Sequence, residues 1–261
     1  MVIKPNNILV EVEDVLQTYK SREAGIKALS NYLHWFPVRS SPQLAGIVAD
    51  LIGDGHLQDL PKGRLDYCSN SMLELERFND EIFSLFGIRG KARMCTTNAY
   101  GTMNLSVNNK VLARAMKLIG VPCGAKVFAA FGIPAWIADD KENCARFMNR
   151  LFSCEGCVDV PSRCIEINMY KSQDIIKDGF AFFYQIKELL ERHYGIVSTN
   201  PFLKGHFRPR KDGRVTRGVR LKIKRKDAVM RFQKYVGFDD VAKREKFLMM
   251  TNQYKETKEI V

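Results

Sequence analysis

The stretch that decides the fold reads LAGIVADLIGDGHL, from Leu44 to Leu57. Small residues recur every fourth position at Ala45, Ala49 and Gly53, so they share one helix face and let it pack closely against a neighbour. The helix runs directly into a Gly-Asp-Gly turn with one carboxylate, Asp54. A carboxylate at a helix C-terminus opposes the macrodipole, at a cost of roughly 0.3–1 kcal/mol. The helix end therefore carries one electrostatically unfavourable carboxylate.

The local sequence sets the limits of this helix. Pro42 follows Ser40 and Ser41, either of which could cap the N-terminus, and Gly55 is suited to ending the helix in a left-handed turn. The pattern predicts a helix over about 42–53. The turn lacks the glycine spacing and Lys-Ser/Thr of a phosphate-binding loop, and it lacks the alternating ligands of a calcium loop. Taken alone, it reads as an ordinary helix end.

A second stretch, ARFMNRLFSCEGCV, ends in the same way on Cys-Glu-Gly. Asp139 or Asp140 can cap its helix, which reaches Cys154, with Gly156 as the stop and Glu155 as the carboxylate. Two unfavourable acids at matching points are explained if a divalent cation neutralises both carboxylates and both helix ends. If the two helices pack side by side, the acids become neighbours.

The segments after each turn repeat the same order of strand, long helix, basic hairpin and closing helix. In the first copy they are GRLDYCSN, MLELERFNDEIFSLFG, KARMCTT with TMNLSVN around a turn at NAYG, and NKVLARAMKLIG. In the second they are RCIEINMY, DIIKDGFAFFYQIKELLERHYG, PFLKGHFRPRKDGRVTRGVRLKIKR and KDAVMRFQKYVGF. Such duplication favours pseudo-twofold symmetry. We predict an N-terminal helical extension over 1–41, a first repeat over 42–120, a linker over 121–138 and a second repeat over 139–261.

Composition points to a polyanion partner. The net charge of the 261-residue chain is +12, and its basic residues are concentrated in two segments. Residues 82–138 contain no acid, and only Asp212 and Asp227 interrupt the basic residues between Lys204 and Arg231. No apolar run is long enough for a membrane span, no signal layout opens the chain, and the seven cysteines fit a reducing compartment. We expect a protein that is either cytoplasmic and associated with the nucleoid, or organellar, and that has no membrane partner.

The paired helices with their Gly-Asp-Gly and Cys-Glu-Gly ends resemble the motif helices of the LAGLIDADG homing endonucleases, of the single-chain, two-motif, intron-encoded type. The resemblance spans about residues 42–250 and includes the linker sequence GIPAWI. It implies an α+β fold of two αββαββα halves, with a four-stranded antiparallel saddle sheet in each half and the motif helices at the interface. It also implies a monomer that binds a long asymmetric double-stranded DNA target.

The resemblance assigns roles residue by residue. Asp54 and Glu155 match the metal-binding acids, and the backbone carbonyls of Gly53 and Cys154 could add ligands. The implied cofactor is Mg²⁺, with Mn²⁺ or Ca²⁺ as substitutes in binding, and the implied reaction is a staggered double-strand cut across the minor groove. Four positions late in the strands match the family's basic or amide side chains near the phosphates: Asn70, Asn108, Lys171 and Lys224.

The hairpins supply the DNA-contact candidates. In the second hairpin the alternation puts basic and polar side chains on one face and mostly apolar ones on the other. The candidates are Arg89, Lys91, Arg93, Asn98 and Asn104 in the first half, and Arg208, Arg210, Arg214, Arg220 and Lys222 in the second.

Three questions stay open at this point. Arg150 stands where the family has a small residue, so close packing there requires that Arg150 turn outward or pair with Asp50. Cys154 and Cys157, with Cys144 and Cys164 nearby, could be buried free thiols, a zinc site or a redox pair. A protein with this fold can also be an RNA maturase for its host intron RNA, or a DNA-binding regulator that does not cleave.

Overall fold

The computed structural model describes residues 7–59, 61–95, 101–210 and 212–256, and of residues 255 and 256 it describes only the helical backbone. The chain divides into two compact units, one of Met1–Gly124 with Pro134–Asn143 and one of Ala125–Ile133 with Cys144–Val261. The predicted linker 121–138 is thus shared between both units.

The first unit begins with the extension and continues with the first repeat. The extension contains β1 (Ile8–Val10), α1 (Val12–Leu16), α2 (Arg22–Leu29) and β2 (Val38–Arg39). The repeat contains α3 (Pro42–Ile52), β3 (Gly55–Gln58), β4 (Arg64–Ser69), α4 (Met72–Phe86), β5 (Lys91–Met94), β6 (Met103–Val107) and α5 (Lys110–Leu118). A short helix α6 (Ala135–Ala138) completes the unit.

The second unit repeats this order and adds a helix. It contains α7 (Lys141–Glu155), whose first turn belongs to the first unit, β7 (Gly156–Asp159), β8 (Cys164–Ser172), α8 (Ile176–Tyr194), β9 (Phe202–Pro209), β10 (Val215–Ile223) and α9 (Lys226–Tyr235). The added helix is α10 (Val241–Glu256). The order αββαββα therefore occurs twice, as expected.

Each unit contains one four-stranded antiparallel sheet, and the two sheets have the same topology. The strand order is β3-β4-β6-β5 in the first and β7-β8-β10-β9 in the second. The central strands are the second and fourth of each repeat, flanked by a short strand that follows the acidic turn. The hairpin turns fall partly outside the described residues, at 96–100 and 211.

One face of each sheet is packed against helices. In the first unit Leu65 and Tyr67 of β4 are buried, and the Tyr67 ring stacks on Phe78 of α4 with centroids 4.6 Å apart. In the second unit Val219, Leu221 and Ile223 of β10 are fully buried, as the alternation predicts. The opposite face of each sheet is consequently the polar one.

The extension packs on the first repeat through aromatic and cationic contacts. Arg114 of α5 donates to the Thr18 carbonyl over 2.6 Å and lies 3.8 Å from the Tyr19 ring centroid. Trp35 meets Phe86 of α4 edge-on at 5.5 Å. The extension contains the two helices α1 and α2, and also a two-stranded sheet of β1 and β2 that was not predicted. Among the described residues, none of the helices combines the length and hydropathy that a bilayer span needs.

Candidate functional site

The first acidic turn is formed by a strand that folds back onto its own helix. Ser41 caps α3 by accepting from the Leu44 N–H over 3.1 Å, and α3 ends where the Gly53 N–H donates to the Ala49 carbonyl over 2.8 Å. β3 then begins at Gly55, where an added β-carbon would lie 2.8 Å from Leu51 Cα. Gly55 does not have a positive φ, so its predicted left-handed turn is wrong. Close backbone approach requires the glycine instead.

The second acidic turn follows the same rule more tightly. Asp140 caps α7 by accepting from the Asn143 N–H over 2.9 Å, and α7 extends through Glu155. A β-carbon on Gly156 would lie 2.4 Å from the Phe152 carbonyl oxygen, within the preceding helix. In both turns, therefore, the acid is the last residue before a glycine that no other residue can replace without movement of the backbone.

Register fixes both acids at the same point of their sheets. Gly55 pairs with Tyr67 of β4, and the Cys68 N–H donates to the Asp54 carbonyl over 3.3 Å. Gly156 pairs with Ile167 of β8. Asp54 is exposed and Glu155 is half-buried, so both carboxylates have access to solvent.

The C-terminal end of α7 already binds a cation from the protein. Lys243 of α10 donates from Nζ to the Cys154 carbonyl over 2.9 Å and also to the Ser153 carbonyl. An ammonium group at this end interacts favourably with the negative end of the helix dipole. The Cys154 carbonyl, expected to be a metal ligand, is thus a lysine acceptor in this structure.

Two buried charges lie inside the motif helices. Asp50 of α3 is fully buried and accepts from Arg77 of α4 over 2.8 Å. Arg150 of α7 is also fully buried and lies 3.4 Å from the Asp239 carboxylate. Burial raises the pKa of Asp239, but Arg146 and then Arg150 outweigh it and hold that pKa below its ordinary value. Arg150 does not turn outward to solvent, and its pairing with Asp50 stays a prediction.

The polar face of the first sheet carries a carboxylate among hydrogen-bond donors. Asp66 of β4, which is 5% exposed, accepts from Arg64 Nε and Gln58 Nε2, each over 3.0 Å, and from Ser106 Oγ over 2.6 Å. On the same face Cys68 donates to Asn104 Oδ1 over 3.7 Å. The sheet partners of Ser106 and Asn104 on β5 are Lys91 and Arg93, both exposed.

The polar face of the second sheet repeats this arrangement with stronger charges. Glu166 of β8 lies 3.1 Å from Lys222 Nζ, 3.3 Å from Arg220 and 3.3 Å from Lys204 Nζ. Burial acts to raise the pKa of Glu166, yet hydrogen bonds from Lys222 and Lys204 and their charges hold it below its ordinary value. Arg220 and Lys222, both predicted to contact DNA, thus share this face with Lys204.

No family model matches the chain. Among solved structures, the homing endonuclease I-WcaI bound to its DNA recognition sequence covers 86% of this chain and 92% of its own, with 12% identity and a TM-score of 0.50. A variant of I-DmoI in complex with its target DNA and manganese covers 75% and 93%, with 14% identity and a TM-score of 0.50. This chain has the LAGLIDADG homing-endonuclease fold. At such low identity the likeness concerns the fold.

One curated protein adds a sequence match. Glutamine–fructose-6-phosphate aminotransferase of Methanocaldococcus jannaschii is 26% identical over 225 residues, which is 84% of this chain but 18% of that protein. The chain thus spans less than a fifth of that relative's length. The aminotransferase activity in its name belongs to a protein of which this chain covers 18%.

Within the LAGLIDADG fold, Asn70 follows the end of β4 that lies beside Asp54, and it is exposed. Lys171 does not match it. Tyr67 faces Gly55 and Ile167 faces Gly156, so the residue equivalent to Asn70 is Tyr170, one position earlier. A slip of one residue turns a strand side chain to the opposite face.

Lys171 accordingly lies on the helix-facing side of its sheet. It is 2% exposed, and its Nζ donates to the Lys126 and Ala129 carbonyls, each over 2.8 Å, beneath the Phe131 ring at 3.7 Å. Burial lowers the pKa of Lys171 to about 8. At this position Lys171 holds residues 125–133, called the connector below, and its burial does not support contact with a scissile phosphate.

The structure does not bring Asn108 and Lys224 to the acids. Val107 pairs with Leu65, so Asn108 comes level with Arg64, four residues along β4 from the Cys68 that binds the Asp54 carbonyl. Lys224 stands at the same far end of the second sheet, since Ile223 pairs with Ile165. Four strand residues correspond to about 13 Å. The C-terminal ends of neighbouring antiparallel strands lie at opposite ends of the sheet. The prediction that Asn108 and Lys224 lie near the acids is corrected accordingly.

The DNA-contact candidates are distributed unequally. Lys91, Arg93 and Asn104 lie on the polar face of the first sheet, and Arg220 and Lys222 on that of the second. Arg89 instead pairs with Asp80 of α4 over 2.7 Å. Asn98 lies outside the described residues. The other three candidates contact aromatic rings: Arg208 that of Tyr170, and Arg210 and Arg214 that of Phe128.

The cysteines are free thiols, including buried Cys144 and Cys164 and exposed Cys157. Burial raises the pKa of Cys164. Within the described part of the chain, no three His, Cys, Asp or Glu side chains form a group able to hold a metal, so the zinc alternative gains no support.

Sequence reasoning missed three residues of this site. Asp66 and Glu166 could have been found, because each follows an apolar residue in the middle of equivalent strands, RLDY and CIEI. Lys243 gave no signal, since it comes from a helix after the second repeat that the repeat pattern does not contain.

Proposed function

We propose that this chain is a site-specific DNA endonuclease that uses divalent metal bound by Asp54 and Glu155. The observation that carries the proposal is the duplicated turn. In two units of identical strand order, a buried helix ends in an acid that a tightly packed glycine fixes beside the second strand. Stability alone gives no reason to place a carboxylate at a helix C-terminus twice.

The donor set fits a hard cation that is also held by its substrate. Mg²⁺ is commonly bound by one or two carboxylates together with substrate phosphates. Asp54 and Glu155 would supply the carboxylates, and the Gly53 carbonyl stays a candidate. The Cys154 carbonyl does not fit, because Lys243 occupies it.

The protein's own residues would prepare the phosphodiester. The bound ion would supply Lewis-acid activation of water and charge neutralisation at the phosphate. Lys91 and Arg93 on the first sheet, and Lys204, Arg220 and Lys222 on the second, would neutralise backbone phosphates and hold the duplex. Lys243 would keep a positive charge beside Glu155 whether or not metal is present.

The experiment is a cleavage selection with a randomised duplex library, run with Mg²⁺ or with EDTA. We expect recovery of one long asymmetric site cut on both strands with a stagger, only in Mg²⁺. Asp54→Asn and Glu155→Gln should abolish cutting without loss of binding. Asp59→Asn, a change at an exposed acid of the first unit, should cut normally.

Specific binding without cleavage would contradict the nuclease proposal and favour a regulator. Preference for structured RNA over duplex DNA would contradict it in favour of a maturase.

A further inference from the structure

The polar face of each sheet has a carboxylate at its centre, although a surface for a polyanion would be expected to avoid one. Asp66 pairs across the sheet with Ser106, and Glu166 pairs with Lys222. The two acids are equivalent by register, one residue before Tyr67 and Ile167, the partners of the two turn glycines. The same unfavourable choice therefore occurs in both halves.

The second of these carboxylates joins three cations from two strands. Lys204 comes from β9, and Arg220 and Lys222 come from β10, all within 3.3 Å of Glu166. The Glu166 side chain is 12% exposed, and those of Lys222 and Arg220 are 17% and 25% exposed. Arg220 is fixed further by the Phe202 ring, whose centroid lies 4.6 Å from its guanidinium carbon. These cations are held in place within the protein itself.

Such an arrangement has a clear physical consequence for recognition. Free lysine and arginine side chains lose considerable rotamer entropy when a ligand orders them, and that cost is smaller if they are ordered beforehand. A carboxylate also repels phosphate, which weakens attraction that is independent of base sequence. Glu166 therefore lowers affinity for DNA of any sequence and fixes the geometry of the hydrogen-bond donors. Recognition of base edges needs donors of fixed geometry.

We propose that Glu166, with Asp66 as its counterpart in the first half, is a positioning residue that sets sequence specificity by fixing the donors of its own sheet. The inference rests on the proposed DNA-binding function. It deepens that function by assigning the control of specificity, half by half, to two acids that do not themselves need to touch the metal or the reacting phosphate.

The test compares which duplexes the wild type, Glu166→Gln and Asp66→Asn bind from one randomised library. Ca²⁺ replaces Mg²⁺, so that binding is measured without cleavage. We expect Glu166→Gln to reduce discrimination about tenfold at positions in one half of the recovered motif and to leave the other half unchanged. Asp66→Asn should reduce discrimination in the other half of the motif and leave the first half unchanged. Binding of Glu166→Gln to scrambled duplex should strengthen, and its salt dependence should steepen by about one unit of slope for a freed cation.

Glu188→Gln is the matched control, because it removes one negative charge from an exposed position on α8 of the same unit. It should change neither half of the motif. A motif unchanged in Glu166→Gln would overturn the positioning role while leaving the proposed function intact. Equal loss in both halves, together with a lowered melting temperature, would also overturn it by showing general damage. A wild type that enriches no sequence would contradict the proposed function itself.

Discussion

At Gly156, a β-carbon would lie 2.4 Å from the Phe152 carbonyl oxygen, and at Gly55 it would lie 2.9 Å from the Asp50 carbonyl oxygen. Both contacts are with backbone, which cannot move aside as a flexible side chain can. The acids Asp54 and Glu155 thus gain their positions from the smallness of the following residue. In the acid-glycine pattern, the glycine allows the close backbone approach that holds the carboxylate residue at the end of the helix.

Gly156→Ala should lower the free energy of unfolding by about 3 kcal/mol, because the helix end and β7 must separate to admit the methyl group. Gly213→Ala provides the control in the same unit. Gly213 has a φ of +78° and open space around it, so only the left-handed backbone penalty of about 1–2 kcal/mol applies. Chemical denaturation measures both. Equal losses would contradict the steric account of the acidic turn.

Single residues differ in how far the sequence alone could identify them and their partners. Asp54 and Glu155 could be singled out as candidates because their motif occurs twice in the sequence. The partners of Asp50 and Arg150 could not be identified, since Arg77 and Asp239 are brought to them only by tertiary packing. Lys171 was misassigned because a strand pattern of period two does not define its own register within one residue.

Among the elements, the connector over residues 125–133 is held to the second unit by a buried lysine. Lys171 binds two of its carbonyls, the Ser172 N–H donates to the Val127 carbonyl over 2.9 Å, and the Phe131 ring meets Phe182 at 5.0 Å. The same segment places Phe128 4.2 Å from the guanidinium of Arg214. The connector therefore also supports the basic hairpin of β9 and β10.

The stability conferred by this segment should depend on pH. The folded-state pKa of Lys171 is about 8, below the ordinary value of 10.5, so the unfolded chain binds more protons between these values. Stability should consequently rise with pH across this window. Relative to Lys171→Met, the wild type should gain about 2 kcal/mol in unfolding free energy from pH 7 to pH 10. The difference between the wild type and Lys177→Met, which alters an exposed lysine and keeps Lys171, should stay constant across this range. A constant difference between the wild type and Lys171→Met would disprove the burial effect.

Helix α10 contributes to the second motif helix through Lys243. Lys243→Met should lower the unfolding free energy by about 1–2 kcal/mol, because two carbonyls at the end of α7 lose a charged donor. Lys246→Met, on an exposed position of the same helix, should cost little. Thermal melts of the two variants compare the effects directly. If the two melt alike, the Lys243 contact does not stabilise the helix end.

The order of elements could be predicted well, since long amphipathic helices and the hairpins have distinct periodicities. The short strands β3 and β7 did not show in that pattern, because GHLQ and GCVD are too brief to alternate convincingly. The sheet of β1 and β2 escaped for the same reason. These strands form through pairing with neighbours rather than through their own sequence preference.

For the molecule as a whole, two units of one topology each present a polar sheet face and one acidic turn. The charge of +12 and its concentration in the hairpins could be read from the sequence, and they agree with a nucleic-acid partner. The organisation of that charge around Asp66 and Glu166 required the register. The proposed nuclease function needs both the basic sheets and the acidic turns, because basic sheets alone would bind DNA without cutting it.

The central claim is that Asp54 and Glu155 together make the chain a metal-dependent nuclease. The most direct measurement is single-turnover cleavage of the selected duplex, labelled at both 5′ ends, by the wild type, Asp54→Asn and Glu155→Gln in Mg²⁺. We predict that the wild type cuts both strands with a stagger, and that each single substitution slows cutting at least a hundredfold while binding persists. Cleavage by both variants at the wild-type rate would contradict the claim.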